Sequence, residues 1–521
     1  MNFHWKVLLW MVAGVAVGFG LQVGLEAPPW TGVEWASAEG GGVQVVRAKG
    51  PGARAGLSAG KRFVAVVTDR GKSGQDGGPA ERRIALGTPE DFAAVLAEAK
   101  TGEVLWFVPP ARADGSVPDP VPLTVDFAPS SPRARAIAPF EFAADLFLRL
   151  LKMLIVPLVF SSIVTGVASV GGASDLKRLG TKTLGYYVAT SLLAILLGQA
   201  LVNVVEPGVG AELGLSRDAA AWEDVDDSGF IDVLRRAIPE NVPEALTSNG
   251  AMLSIIFFAL ILGIAAARTK SPHGERVTSL FEALFEVMMT MAQGVLALLP
   301  YGVFALLVKV VAGTGFAPFK FLGLYMLTVT VALVLHSCLT LPLVLKFVGR
   351  ISPIGWAKAM SPALMTAFST SSSSMTLPVS MRTVEERGKV SNKITSFTLP
   401  LGATINMDGT ALYECIGVVF LAQYYASTGD YDLTLGRQVL IVLLALLASI
   451  GAAGIPSAGL VMMLTILSAL KLPVEGAALL LAIDRPLDML RTVVNVWSDT
   501  CGAAVIARSE GEVGPASAGS G

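Results

Sequence analysis

The sequence predicts an α-helical protein that crosses a membrane many times and is interrupted by one small soluble α/β domain. Three observations carry this. Hydrophobic residues make up 53% of the 521 residues and charged residues only 15%, where a soluble chain carries about 25% charged. The apolar residues gather into runs of roughly 20, the length a helix needs to cross the hydrocarbon core. One stretch, from about 30 to 132, breaks that pattern: it is charged, rich in Gly and Pro, and patterned in short strands. The composition excludes an ordinary soluble enzyme and a disordered chain. A net charge of −2 supplies no basic field for nucleic acid. Cys338, Cys415 and Cys501 lie in apolar stretches with neither disulfide nor metal spacing, and His4, His273 and His336 cannot form an H-E-x-x-H zinc site.

Residues 1–25 hold the first span. Leu8–Leu21 is apolar behind Lys6, and no A-x-A cleavage site follows closely, so it reads as an uncleaved helix and not a signal peptide. Within 30–132, Val43–Val46, Phe63–Val67, Val104–Val108 and Leu123–Val125 read as strands. Thr88-Pro89-Glu90-Asp91 opens a helix, with a Thr cap, Pro at the first helical position and acids in the first turn. Phe92, Val95, Leu96 and Ala99 are its apolar face. A Pro-rich linker, 109–132, leads back to the membrane.

Further spans are predicted near 140–168, 183–205, 250–267, 279–312 and 319–345. Lys177, Arg178 and Lys182, then Arg268, Lys270 and Arg276, then Lys346, Arg350 and Lys358 mark three basic loops, whereas the loop 206–246 carries ten acids and three Arg. The positive-inside rule then puts the N-terminus in the cytoplasm and the soluble insert outside, in a multi-pass protein of the cell's inner (plasma) membrane.

Two later segments are not simple spans. Residues 438–470 carry no charge; as one helix they would run about 50 Å, too long for one crossing and too short for two. Their centre, Gly451 to Gly459, breaks helices. A re-entrant hairpin with its tip at mid-membrane fits. Residues 359–381 repeat the design around Ser371–Ser374, with Lys358 and Arg382 at the ends. Irregular backbone at membrane depth lines a cavity or is buried in protein, and a pair of broken segments points to a transport site.

The polar residues concentrate on two helices. One holds Asn406-Met407-Asp408-Gly409-Thr410; the other holds Asp484, Asp488, Arg491, Thr492, Asn495 and Asp499. At about 100° per residue the latter six share a stripe about 100° wide, away from Leu490, Val494 and Trp497. Ionisable groups in a span are costly and mark pathways. Arg491 in a cavity suits a carboxylate, which a guanidinium binds through two parallel hydrogen bonds. Asp408, Asp499, Asn406 and Asn495 offer hard oxygen ligands, suited to a hard cation. A cation that neutralises them couples its own binding to that of the substrate.

The run Leu399-Pro400-Leu401-Gly402-Ala403-Thr404-Ile405-Asn406-Met407-Asp408-Gly409-Thr410-Ala411-Leu412-Tyr413 resembles the signature of the dicarboxylate/amino acid:cation symporters, the glutamate transporter family. So do the serine tip ending Met375-Thr376-Leu377-Pro378, the tip Gly454-Ile455-Pro456-Ser457-Ala458-Gly459, and Asp488-Met489-Leu490-Arg491-Thr492-Val493-Val494-Asn495. The resemblance covers the chain outside about 30–132. It implies a glutamate-transporter fold of eight transmembrane helices and two re-entrant hairpins, a homotrimer, and elevator-type symport of glutamate or aspartate with sodium, with no enzymatic activity and no bound cofactor. It divides the chain into a first helix (1–25), the insert (30–132), helices 2–6 (138–350), a transport core (351–508) and a disordered tail (509–521).

Carried over residue by residue, the resemblance implies that Arg491 and Thr410 hold the substrate side-chain carboxylate. Asp488, with Thr492, holds its amino group. Asn495 and Ser372, Ser373 and Ser374 hold its main-chain carboxylate, with Gly454, Pro456 and Gly459 of the second tip alongside. One sodium site uses Gly402, Asn406, Asn495 and Asp499; a second uses Tyr187, Thr190, Ser191, Asn406 and Asp408; a third uses Thr404, Ser449 and Ile450. Glu414 is a candidate proton carrier, since proton-cotransporting relatives have Glu there.

Two departures from the family stand out. Ser371 occupies the place of an Arg in archaeal relatives, and Met489 that of an Arg in eukaryotic ones. Arg485 is either a third placement of that arginine or, the reading favoured by sequence, a side chain snorkelling to the outer interface. The other departure is the insert. Gly50-Pro51-Gly52-Ala53-Arg54-Ala55-Gly56-Leu57-Ser58-Ala59-Gly60 resembles the turn of bacterial PDZ domains, with Gly32–Trp35 as first strand and Gly40–Val43 as carboxylate-binding loop, although Lys61 stands where an Asp is usual. Such a domain would capture a peptide partner by strand addition.

Other functions compete. A C4-dicarboxylate or neutral amino acid symporter of the same family is the nearest alternative, and a dicarboxylate would give Asp488 no amino group to pair with. A membrane protease would need a His base near the serine tip, and a non-transporting sensor would need no such polar stripe.

Overall fold

The computed structural model describes residues 3–38, 41–49, 51–55, 57–68, 82–99, 104–112, 116, 118, 120–169, 174–211, 213, 238–247, 252–427, 431–451, 458–473 and 475–512. The first helix, Phe3–Gly24, packs along the helix Leu299–Thr314, where Trp10 meets Tyr301 and Phe304 edge-on at 5.0 and 5.2 Å.

The insert is a small β-rich unit with its own core. Its strands are β1 (Pro29–Trp30), β2 (Val33–Ser37), β3 (Val43–Ala48), β4 (Arg62–Phe63), β5 (Ala65–Thr68), β6 (Arg82–Ala85), β7 (Val104–Val108), β8 (Val121–Thr124) and β9 (Asp126–Phe127). They pair antiparallel as β2-β3-β4, as β6-β5-β7-β8 and as β1-β9. The run Phe63–Val67 is not the single strand that its composition predicts. Val64 crosses between sheets, donating to Val108 O and accepting from Leu86 N, so Phe63 pairs in one sheet and Ala65 begins another. Phe63, Leu105, Phe107 and Leu123 are buried between the sheets, and Trp35 stacks on Phe107 at 5.1 Å.

The helix Pro89–Glu98 closes one side of the insert. Asp91 accepts from the backbone N–H of Gly87 and of Thr88 at 2.8 Å each, which holds its carboxyl below the usual range. The pairing of β1 with β9 brings the two ends of the insert together. Arg133 then donates to Gln22 O at 2.7 Å and to Leu25 O at 2.8 Å, satisfying carbonyls left open at the end of the first helix.

The rest of the molecule is helical. Among the described residues, Pro132–Ala168, Arg178–Val205, Pro318–Gly349 and Asn392–Ser427 are long and apolar enough to cross a membrane. The predicted span 279–312 is two helices, His273–Ala297 and Leu299–Thr314, bent by 52°. Pro300 explains the break, because its ring lacks an N–H and clashes with the preceding turn.

Both irregular segments are helix pairs. Pro353–Thr370 and Ser373–Glu386 pack on each other and on the last helix, Glu475–Ser509. Their tip turns at Ser371, in the left-handed region at φ 50°, and Ser372 caps the second arm by accepting from Met375 N at 3.2 Å. Leu435–Gly451 and Ala458–Ala469 form the second pair, and the latter packs on the helix Asp408–Ser427.

Candidate functional site

Helices Asn392–Ile405 and Asp408–Ser427 both pack on the last helix, and the break between them creates the site. Helix Asn392–Ile405 ends, Asn406 and Met407 are non-helical, and a new helix starts at Asp408. The break puts the open carbonyls of one helix end beside the positive end of the next. Asp408, an acid in the first turn, sits where that dipole favours it. Asn495 of the last helix holds the start of the new helix: its Oδ1 accepts from Gly409 N at 2.8 Å and its Nδ2 donates to Thr410 Oγ1 at 3.1 Å.

A buried carboxylate cluster lies on one side of the break. Asp408 Oδ1 accepts from Ser191 Oγ at 2.6 Å and from Thr190 Oγ1 at 3.4 Å. Its Oδ2 accepts from Ser498 Oγ at 2.6 Å and lies 3.2 Å from His336 Nε2. Asn406 Nδ2 donates to Asp499 Oδ1 at 2.8 Å, and Thr190 Oγ1 reaches Asn406 Oδ1 at 3.5 Å. Gly402 faces Asp499 Oδ1 and the Tyr187 hydroxyl so closely that a Cβ there would collide with both. Tyr187 in turn donates to Thr398 O at 2.8 Å. Asp408 and Asp499 are 0% and 4% exposed. Among the described residues neither has an Arg or Lys partner.

A charge cluster lies on the other side. Arg491 Nη2 donates to Asp484 Oδ1 at 2.9 Å and to Asp488 Oδ1 at 2.8 Å. Its guanidinium carbon lies 3.8 Å from the centre of the Tyr413 ring, a cation–π contact. Its Nε and Nη1 have no hydrogen-bond partner among the described residues, and a Cβ on Gly459 would come within 2.6 Å of Nη1. The buried guanidinium therefore keeps N–H donors for a further acceptor, one of them on the side of Gly459.

Residues 133–509 match the Sodium:dicarboxylate symporter family. The chain belongs to that family. Among its curated relatives is "Excitatory amino acid transporter 3" of Homo sapiens, 35% identical over 417 residues, covering 70% of this chain and 78% of the relative. "Proton/glutamate-aspartate symporter" of Escherichia coli is 34% identical over 376 residues, covering 71% and 84%. "Excitatory amino acid transporter 1" of Ambystoma tigrinum is 33% identical over 427 residues, covering 71% and 77%. The family is one of transporters, so the chain is a multi-pass membrane transporter.

The transporter's expected site residues are distributed unevenly. Gly402, Asn406 and Asp499 meet, and Thr190, Ser191, Asn406 and Asp408 meet. Thr404, Ser449 and Ile450 lie in the last turns of two helices that touch, but the hydroxyls turn back on their own helices, Thr404 to Leu401 O and Ser449 to Leu446 O, each at 2.9 Å. Thr492 likewise donates to Asp488 O at 2.8 Å. Ser372 and Ser373 are buried at the first tip and Ser374 is exposed. No hydrogen bond among the described residues joins these serines to Asn495. Gly454 and Pro456 lie outside the described residues.

Arg485 does not snorkel. It is 6% exposed, and its Nη1 donates to Asp488 Oδ2 at 3.0 Å. A carboxylate one turn away on the same helix holds it more firmly than a distant interface could. Glu414 is 0% exposed with neither carboxyl oxygen hydrogen-bonded among the described residues.

Sequence reasoning passed over His336 and Ser498, both of which touch Asp408. Both carried a signal. His336 is a lone ionisable group in an apolar span, and Ser498 falls at about −40° on the polar wheel, at the margin of the stripe.

Proposed function

We infer that the protein is a secondary active transporter carrying the acidic amino acids glutamate and aspartate together with sodium. The observation that carries this reading is Arg491, buried and offering two open N–H donors beside Gly459 of the second hairpin. The substrate's side-chain carboxylate takes those donors with Thr410, its amino group meets Asp488, and Asn495 with Ser372 and Ser373 faces its main-chain carboxylate. The relative named as a proton/glutamate-aspartate symporter, and that named as an excitatory amino acid transporter, support the same substrate class.

Sodium is cargo here, and the oxygen donors fit it. Asp408, Asn406, Thr190 and Ser191 are close enough to share one hard cation. The hydroxyls that now donate to Asp408 carry lone pairs and can rotate to present them. Asp499, Asn406 and the backbone at Gly402 supply a second set. Thr404, Ser449 and Ile450 complete a third through helix-end carbonyls. A cation between buried carboxylates removes the repulsion that opposes binding of an acidic substrate. Glu414 is the proton site if a proton is cotransported.

The assembly proposed is a homotrimer with eight spans, two re-entrant hairpins and an elevator-type transport core over 351–508. The N-terminus is cytoplasmic and the insert, 30–132, is extracytoplasmic and PDZ-like. Its β2 edge is a site for an added peptide strand. The deciding experiment is uptake of labelled aspartate into liposomes holding the purified protein, with a sodium gradient, with choline in place of sodium, or with a proton gradient alone. Uptake driven by sodium is expected; uptake indifferent to both gradients overturns the reading, and uptake of succinate in preference to aspartate turns it toward a C4-dicarboxylate symporter.

A further inference from the structure

Ser498 stands between the two carboxylates of the sodium sets, and neither set includes it. It is 0% exposed. Its Oγ donates to Asp408 Oδ2 at 2.6 Å and accepts from Asn406 Nδ2 at 3.1 Å. One hydroxyl carries both bonds, since it holds one hydrogen and two lone pairs. The preceding residue braces it. Trp497 Nε1 donates to Ser337 O at 3.1 Å, and the adjoining His336 lies 3.2 Å from the same Asp408 oxygen. Oδ2 of Asp408 is thus held from two helices at once.

These bonds decide which atoms face the cation. The two ends of an amide have nearly the same shape, so its hydrogen bonds set which end points where. Asn406 sends Nδ2 to Ser498 and, at 2.8 Å, to Asp499 Oδ1, and its Oδ1 then lies 3.5 Å from Thr190 Oγ1. Asp408 gives Oδ2 to Ser498 and leaves Oδ1 to Ser191 and Thr190. Two oxygens of different residues are turned the same way, toward the same pair of hydroxyls. Asp499 cannot hold the amide alone, because a cation on that carboxylate weakens it as an acceptor.

Resting on the reading above, in which Asn406 and Asp408 share one sodium, we propose that Ser498 is a positioning residue for that ion. It aims Asn406 Oδ1 and Asp408 Oδ1 at one point and keeps them aimed while Asp499 serves a cation of its own. Oxygens already in place spare the ion the cost of ordering them. Without the hydroxyl the amide is free to turn its NH2 toward the site, and a donor there opposes the cation that an acceptor would bind.

The test is thermal unfolding of the purified full-length protein across a sodium titration, with choline holding the ionic strength, for the wild type, Ser498→Ala and Ser498→Thr. An ion that binds only the folded state raises the melting temperature in proportion to its affinity and concentration. The sodium needed for a given rise above the sodium-free melting temperature is expected to increase about fivefold in Ser498→Ala. It should stay within about twofold of wild type in Ser498→Thr, which keeps the hydroxyl.

A purely structural Ser498 would lower the sodium-free melting temperature and leave the sodium requirement unmoved. An unmoved requirement in Ser498→Ala overturns the proposal, as does an equal increase in a folded Ser498→Thr. Should the added methyl of Thr prevent folding, the requirement of Ser498→Ala decides alone. A wild type that sodium stabilises no more than choline overturns the transport reading and this inference with it; wild-type stabilisation with an unmoved requirement in Ser498→Ala overturns this inference alone.

Discussion

The strand Val104–Val108 of the insert and the helix Asp408–Ser427 of the core are both buried almost end to end, yet they bury opposite chemistry. The strand hides Leu105, Trp106, Phe107 and Val108, each of which gains by leaving water. The helix hides Asp408, Thr410, Glu414 and Gln423 among its apolar residues. Burying a carboxylate costs several kcal/mol even when it is well hydrogen-bonded, roughly matching what its partners return. Stability explains the strand. It does not explain the buried acids of the helix, which the proposed function assigns to ion binding, whereas Gln423 is held by Val202 O and Gly208 N.

That contrast breaks most visibly at Arg491. Arg491→Cys removes the partner of Asp484 and Asp488 and both open donors, and should lower the affinity for aspartate by about a hundredfold or more. Small neutral amino acids should then compete, since they bring no second carboxylate to leave unpaired. Aspartate affinity unchanged in a folded, inserted Arg491→Cys protein would show that the cluster is structural, like the insert's core.

A smaller effect is expected at the carboxylates. Asp499→Asn keeps the shape beside Gly402 and removes a charge. It should weaken sodium on the order of tenfold and, by linkage, shift substrate affinity at low sodium by a related factor. Titrating sodium at several substrate concentrations checks both, and wild-type values in both would remove Asp499 from the cation site.

Glu414 sharpens the comparison further. Its oxygens lack partners among the described residues, so the neutral Glu414→Gln amide should fit the same space. Uptake at saturating sodium should lose its dependence on external pH while sodium-dependent exchange persists. A variant with the wild-type pH profile assigns Glu414 to structure alone.

The insert should give the smallest effect on transport. Phe107→Ala should cost its core about 3–5 kcal/mol, melting the insert earlier. Replacing Ala36–Ser131 by a short Gly/Ser linker removes it altogether. The site lies outside the insert, so uptake should stay within about twofold of wild type in both. A correctly inserted deletion protein with no uptake would tie the insert to the mechanism.

The amino-acid order determined what depends on local periodicity. Apolar runs marked the spans, the length of 438–470 and the serine tip marked the hairpins, and Thr88 to Asp91 marked a helix start, because each follows from a few neighbouring residues. The polar stripe of the last helix was legible for the same reason: its members sit on one rigid repeat. Tertiary structure decided the rest. The open N–H of Gly409, in the first turn after the break, is taken by Asn495, far along the chain. His336 and Ser191 meet Asp408 only because three helices pack there. Arg485 turned inward because Asp488 outcompeted the interface. In each case the deciding partner comes from packing that local spacing cannot encode, and a buried polar group takes its conformation from whichever partner spares it an unpaired state.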